Sequence, residues 1–256
     1  APAARQPAAK VLLDALGVAG IKLKSLAVAL ERLDAQEELL AVVLGAIIAS
    51  RTKLQPGLVA GLQHLAAGVV FAAAATEILP QVKHEASPSA TLIGGAAGVA
   101  TMLALKAFEA RFRGPMALLA AIGIDILVDG LVLGLAFVAG EKAGFLLTIA
   151  LTLEVLFLGL TLTNVLAETY RSRLRIIVIV SAMALLLPIG ALAAVPVATL
   201  SPVMIAGFLS FGLMALLYLV TEELLVEAHE KPDTPLISSM FFVGFLALLT
   251  LEEIMG

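Results

Sequence analysis

Two neighbouring apolar stretches, IGIDILVDGLVLGLAF (Ile122 to Phe137) and LTLEVLFLGLTLTNVL (Leu151 to Leu166), decide how this chain reads. Long runs of this composition are membrane-crossing helices. Yet the first holds Asp125 and Asp129 in its interior, and the second holds Glu154. A carboxylate at the centre of a membrane helix costs at least ~2.5–3.5 kcal/mol on insertion scales. Three such groups, close in sequence, require a compensating function.

The surrounding composition agrees with the membrane reading. The chain has 256 residues, of which 61% are hydrophobic and 14% charged. Its mean hydropathy is +1.08. Soluble domains run nearer half apolar and a quarter charged. The apolar runs lack the period-two alternation of barrel strands and are rich in Leu, Ala and Val, so they are helices. The expected fold class is therefore all-α, a polytopic membrane helix bundle embedded in a lipid bilayer. Net charge is −4 and no basic stripe suggests a nucleic-acid partner. There are no cysteines, hence no disulfides and no thiolate metal ligands. Trp is absent, so the aromatic belt is thin. No signal peptide is read at the start, where charged residues interrupt the apolar run.

Residues 1–34 carry KVLLDALGVAGIKLKSLAVALERLD, with apolar residues at helical spacing and charges between them. This is expected to be an amphipathic helix lying on the membrane or on the bundle. Residues 35–256 are expected to form eight spans. They cover about Ala35–Ser50, Leu58–Leu79, Ala90–Phe108, Pro115–Ala139, Phe145–Ala167, Ile176–Ala198, Pro202–Val226 and Leu236–Leu251. Pro80 is expected to end the second span. Basic residues cluster after the first, third and fifth spans: Arg51 and Lys53; Lys106, Arg111 and Arg113; Arg171, Arg173 and Arg175. Three loops that agree put the odd-to-even loops in the cytoplasm and both ends of the eight-span bundle outside. The expected location is the cell (inner) membrane. A faint echo joins ATEILPQ, at the end of the second span, to VTEELLVEA, at the end of the seventh. These two spans run in opposite directions, as an inverted repeat requires.

Asp125 and Asp129 are four residues apart, so they share a helix face. They lie about 10 and 14 residues into the fourth span, and Glu154 lies about 10 into the fifth, so all three fall near mid-depth. The short GEKAG loop makes these helices antiparallel neighbours. Their oxygens suit a divalent cation. No Lys or Arg lies at that depth, so a cation or protons must neutralise the acids. The plainer reading is a structural network of protonated acids bonded to Thr or backbone. Thr148, Thr152 and Thr161 would then bond to the preceding turn, and Gly130, Gly134 and Gly159 would serve close packing. Glu77, Glu222 and Glu223 stand where a cation would be admitted and released, with Glu227 and His229 as a metal-attracting cluster beyond. Each also has a headgroup or loop reading. His64, near the start of the second span, reads as structural or interfacial.

At these residues the sequence resembles the ZIP (Zrt/Irt-like protein) family of divalent metal transporters, particularly its bacterial branch. The likeness covers about Ala35 to the C-terminus and includes AAGVVFAAAATEILP and YLVTEELLVEAH. The family's fourth span carries His-Asn-x-x-Asp/Glu-Gly; here it reads Asp125-Ile126-Leu127-Val128-Asp129-Gly130. Its fifth span usually carries His/Gln-Glu/Asp-x-Pro-x/Glu-Gly. Aligned on Gly159, Glu154 takes the first position, Val155 and Leu158 replace carboxylates, and the proline is missing. The resemblance thus implies one metal site, Asp125, Asp129 and Glu154, where relatives can carry two. It implies inward transport of a divalent metal as substrate, with no enzyme activity. Zinc is the family expectation, and all-oxygen ligation widens it toward manganese, iron or cadmium. A homodimer is kept as a candidate assembly. Two rivals use the same acids: a proton- or solute-coupled carrier that has lost metal transport, and an intramembrane aspartyl hydrolase. The hydrolase is disfavoured because both Asps lie on one helix and no Gly-x-Gly-Asp pattern accompanies them.

Overall fold

The computed structural model describes residues 56–85, 87–111, 115–170, 172–230 and 234–255. The expected amphipathic helix of residues 1–34 and the expected first span lie outside the described residues. The described part is all helix, with no strand, and holds seven helices long and apolar enough to cross a membrane.

The second span is α1 (Pro56–Ala73), a π turn at Ala74–Ile78, and α2 (Leu79–Glu85). The third is α3 (Pro88–Arg111), the fourth α4 (Pro115–Ala139) and the fifth α5 (Glu141–Thr169). The sixth is broken: α6 (Arg173–Ala184), α7 (Leu186–Ala193) and a 3-10 turn at Val195–Thr199. The seventh is α8 (Pro202–Tyr218), a second π turn at Leu219–Leu224, and α9 (Leu225–His229). The eighth is α10 (Pro235–Met255).

Two expectations about helix continuity are corrected. The second span does not end at Pro80; the helix runs on to Glu85. Proline lacks an N–H, and its ring crowds the carbonyl one turn back. The π turn just before it absorbs that mismatch, because Leu79 N–H reaches back five residues to the carbonyl of Ala74. The sixth span, for its part, is interrupted at Leu185. Pro188 cannot donate to the carbonyl of Ala184, so the ladder breaks there.

Glycine sets which helices touch. A Cβ on Gly68 would lie 1.9 Å from the Phe241 carbonyl, and one on Gly244 would lie 2.1 Å from that of Leu65. These contacts seat α1 directly on α10. In the same way Gly94 faces the carbonyl of Gly207 and Gly98 that of Phe211, joining α3 to α8. Gly130 faces the carbonyl of Leu187, and Gly190 that of Leu127, joining α4 to α7. In lipid there is little hydrophobic force between helices, so this close backbone approach is the main source of packing energy. Along each pair the numbers rise together, from Gly57–Ile237 to Gly61–Met240, from Gly94–Gly207 to Gly98–Phe211, and from Gly123–Met183 to Gly134–Ala191, so all three pairs are parallel. The third and seventh spans are also tied by Ser210 Oγ, which donates to the Thr91 carbonyl at 2.8 Å.

The second and seventh spans are antiparallel. The first half of the seventh, α8, packs on the end of the second, α2 and its π turn. The first half of the second, α1, packs on the end of the seventh, α9 and its π turn. Both π turns fall on the echoed Thr-Glu sequences, Thr76-Glu77 and Thr221-Glu222. Spans four and five sit at the centre, joined through Gly140 alone. The third and eighth lie outermost, with only 17% and 11% of their apolar windows buried against 61% for the fourth.

Candidate functional site

Asp125 and Asp129 project from the middle of α4 into the bundle, with exposures of 9% and 4%. Glu154, from the facing side of α5, is 4% exposed. The helices carry these acids inward because each also buries the apolar residues flanking them: Ile126, Val128, Val132 and Leu133 on α4, and Leu151 and Val155 on α5. Gly130, next to Asp129 in sequence but on another face of α4, lets the broken sixth span approach α4 to backbone contact.

The acids sense one another. The strongest charges acting on Asp129 are those of Glu154 and Glu223, and on Glu154 those of Asp125 and Glu223. The structure therefore brings Glu223, from the π turn of the seventh span, into electrostatic range of the three acids of spans four and five. Glu154 Oε2 is fully buried and has no hydrogen-bond partner among the described residues. The same holds for the hydroxyl of Thr163, two and a half turns further along α5. Every described Lys and Arg lies within the first or last two turns of its helix, away from this level. In this conformation no three His, Asp or Glu side chains among the described residues close round a common point at metal-ligand spacing. The acids thus share one interior rather than a finished ligand shell.

The positions at which the ZIP pattern would place further ligands are apolar and buried: Ile126 and Val155 belong to the hydrophobic core, and Leu158 packs against it. Thr148 donates to the Gly144 carbonyl one turn back, the structural role weighed for it.

The remaining acids divide between the two ends. Glu77, on the π turn of the second span, is 8% exposed and lies in the field of Lys142 and Glu252. Lys142 Nζ bonds Glu252 Oε1 at 2.6 Å, which clasps the start of α5 to the end of α10 beside Glu77. At the opposite end the Glu222 side chain faces outward and its carbonyl accepts from Lys106 Nζ at 2.9 Å. The same ammonium lies 5.7 Å from the Tyr218 ring. Thus a lysine of the third span braces the seventh span's π turn, where the widened ladder leaves carbonyls in need of donors. Glu227 is half-buried on α9, and His229 is exposed at its end.

Two features escaped the sequence reading. One is Lys142–Glu252, whose partners stand 110 residues apart and share no motif. The other is His64, which is 1% exposed and lies against His229 of the seventh span. A lone histidine in an apolar run carries no sign of its partner; the signal was only that an imidazole sat in a membrane helix at all.

Neither a protein-family model nor a curated protein matches this chain.

Proposed function

We propose that this protein is a membrane transporter that moves divalent metal cations into the cytoplasm past Asp125, Asp129, Glu154 and Glu223. The observation that carries the reading is the buried set Asp125, Asp129 and Glu154, with no basic residue at its level among the described residues. Carboxylates held that close in an apolar interior need a counter-charge, and a mobile divalent cation supplies two. The substrate expected from the ZIP resemblance is zinc, with manganese, iron or cadmium admitted by oxygen ligands. The location is a multi-pass position in the cell (inner) membrane, with Lys106, Arg111 and Arg175 on the cytoplasmic side.

Alternating access follows from an inverted repeat. Exchanging the second span with the seventh, and the third with the eighth, converts the α1–α10 pair into the α8–α3 pair. The exchange also matches one Thr-Glu π turn with the other. This symmetry supports two halves that rock about the central spans four and five. π turns cluster at functional positions in helices, and here each places a glutamate near one end of the path. The open arrangement of the acids fits a state in which the cation gains its last ligands only when one half moves.

The test is uptake into proteoliposomes. Asp129→Asn and Glu154→Gln are each expected to reduce Zn²⁺, Mn²⁺ and Cd²⁺ entry by at least about 100-fold, comparable to loss of a metal-supporting group. Uptake at wild-type rates in both variants would remove the site. One observation favours a second reading: among the described residues no three His, Asp or Glu side chains converge in this conformation. A proton- or solute-coupled carrier would need carboxylates without a ligand shell. Purified protein that binds none of these metals saturably, yet moves protons in an Asp129-dependent way, would establish that reading instead.

A further inference from the structure

Two imidazoles meet where the second span begins and the seventh ends. The rings of His64 and His229 lie 4.9 Å apart, edge to face at 70°. Each is held by its own helix in the same manner. His64 Nδ1 bonds the Ala60 carbonyl at 2.9 Å, and His229 Nδ1 bonds the Leu225 carbonyl at 2.5 Å. A carbonyl oxygen only accepts, so each Nδ1 carries a proton, and Nε2 is the ring nitrogen not engaged by the helix carbonyl. Imidazoles that bind metals are arranged in this way, with the far nitrogen anchored to a backbone carbonyl and the near one left to ligate.

His64 adds an independent sign. Its Nε2 is fully buried and meets no hydrogen-bond partner among the described residues. An unsatisfied buried acceptor costs ~1–3 kcal/mol, which an apolar residue in the same place would avoid. A hollow lined by Thr221, Leu225, Val226, His229 and Glu230 opens to the surface on the His229 side of the pair.

We propose that His64 and His229 form a second metal site, separate from the carboxylate interior, for a borderline-soft divalent cation such as Zn²⁺. The two Nε2 atoms are its protein nitrogens, and water from the hollow completes the shell. Imidazole ligands prefer zinc, copper and nickel over the harder ions that suit carboxylates. The site therefore discriminates where the interior does not. Because one ring stands on the second span and the other on the seventh, movement of these spans makes or breaks it. The inference rests on the transport reading only in taking a divalent cation as the ligand.

The experiment uses the full chain in nanodiscs, in the wild type and in a background carrying Asp125→Asn, Asp129→Asn and Glu154→Gln. Calorimetric titration with Zn²⁺ is expected to show one saturable site that survives in the neutralised background. Its affinity is expected to fall about tenfold or more with either His64→Gln or His229→Gln. In ¹⁵N-histidine spectra Zn²⁺ is expected to shift Nε2 of both rings and leave Nδ1 protonated. His229 is exposed, so His229→Gln tests the site even if His64→Gln does not fold. Zn²⁺ affinity unchanged by His229→Gln, or His64 and His229 signals unmoved by saturating Zn²⁺, would overturn the site. Metal uptake by the neutralised background would defeat the transport reading alone, since the histidine titration is scored without it.

Discussion

At the scale of single residues, Asp129 and Gly130 show how adjacent positions serve different faces of one helix. Asp129 faces the bundle interior, while Gly130, about 100° further round the helix, admits the backbone of the sixth span. Gly190 answers from the other side: a Cβ there would lie 2.1 Å from the Leu127 carbonyl. Gly190→Leu is therefore expected to destabilise the protein by about 1–3 kcal/mol through overpacking against backbone that cannot yield. Thermal unfolding in detergent checks this, with Gly140→Ala as the control. Gly140 has extended backbone (φ 175°) and open space around its missing Cβ, so that change is expected to leave the melting temperature nearly unmoved. The acids were legible in sequence because a charge inside an apolar run is rare and costly. The significance of Glu223 over Glu222 was not legible. The two are adjacent, and only the π turn decides that Glu223 enters the electrostatic field of the interior while Glu222 faces outward.

At the scale of elements, helix irregularities carry the information that composition hides. The π turns at Ala74–Ile78 and Leu219–Leu224 leave no mark on hydropathy, because a widened turn needs no change in apolar content. Their echo was visible only as the repeated Thr-Glu. The second π turn depends on Lys106, which donates to the Glu222 carbonyl and lies against Tyr218. Lys106→Met is expected to loosen this turn by about 1 kcal/mol, the worth of an ordinary hydrogen bond. Amide exchange across residues 219–225 would then quicken about fivefold, with the eighth span unchanged. Equal exchange in the two proteins would mean that the turn holds without its brace. Pro80 was misleading for a related reason. Proline stops an ordinary helix, but one preceded by a π turn has a ladder already offset to receive it.

At the scale of the whole molecule, the pairing of the spans is testable because the chain has no cysteine of its own. A Cβ on Gly207 would lie 3.9 Å from that of Ala90, close to the usual separation across a disulfide. Ala90→Cys combined with Gly207→Cys is expected to crosslink readily on mild oxidation, as the parallel contact of α3 and α8 requires. Failure to crosslink would reject that pairing and with it the exchange symmetry proposed for the two halves. Orientation has its own check. Ser172→Cys is expected to react with an impermeant thiol reagent only from the cytoplasmic side, and Ser87→Cys only from the outer side. Reaction of both from one side would overturn the alternating topology, and reaction from reversed sides would invert it.

Taken by itself, the sequence determined what local patterning can determine. Unbroken apolar runs longer than a bilayer is thick must be helices, because lipid offers no partner for an open backbone. Carboxylates inside them mark an interior rather than a lipid face. Which helices become neighbours was decided by the tertiary structure. Helix pairing in lipid turns on where two backbones approach closely, and glycine permits that approach on any helix without naming its partner. Only folding sets Gly68 on Phe241, joins Lys142 to Glu252, draws Glu223 toward Asp129 and Glu154, and brings His64 to His229. The opening stretches declared three buried acids, and the contacts between helices supplied their surroundings.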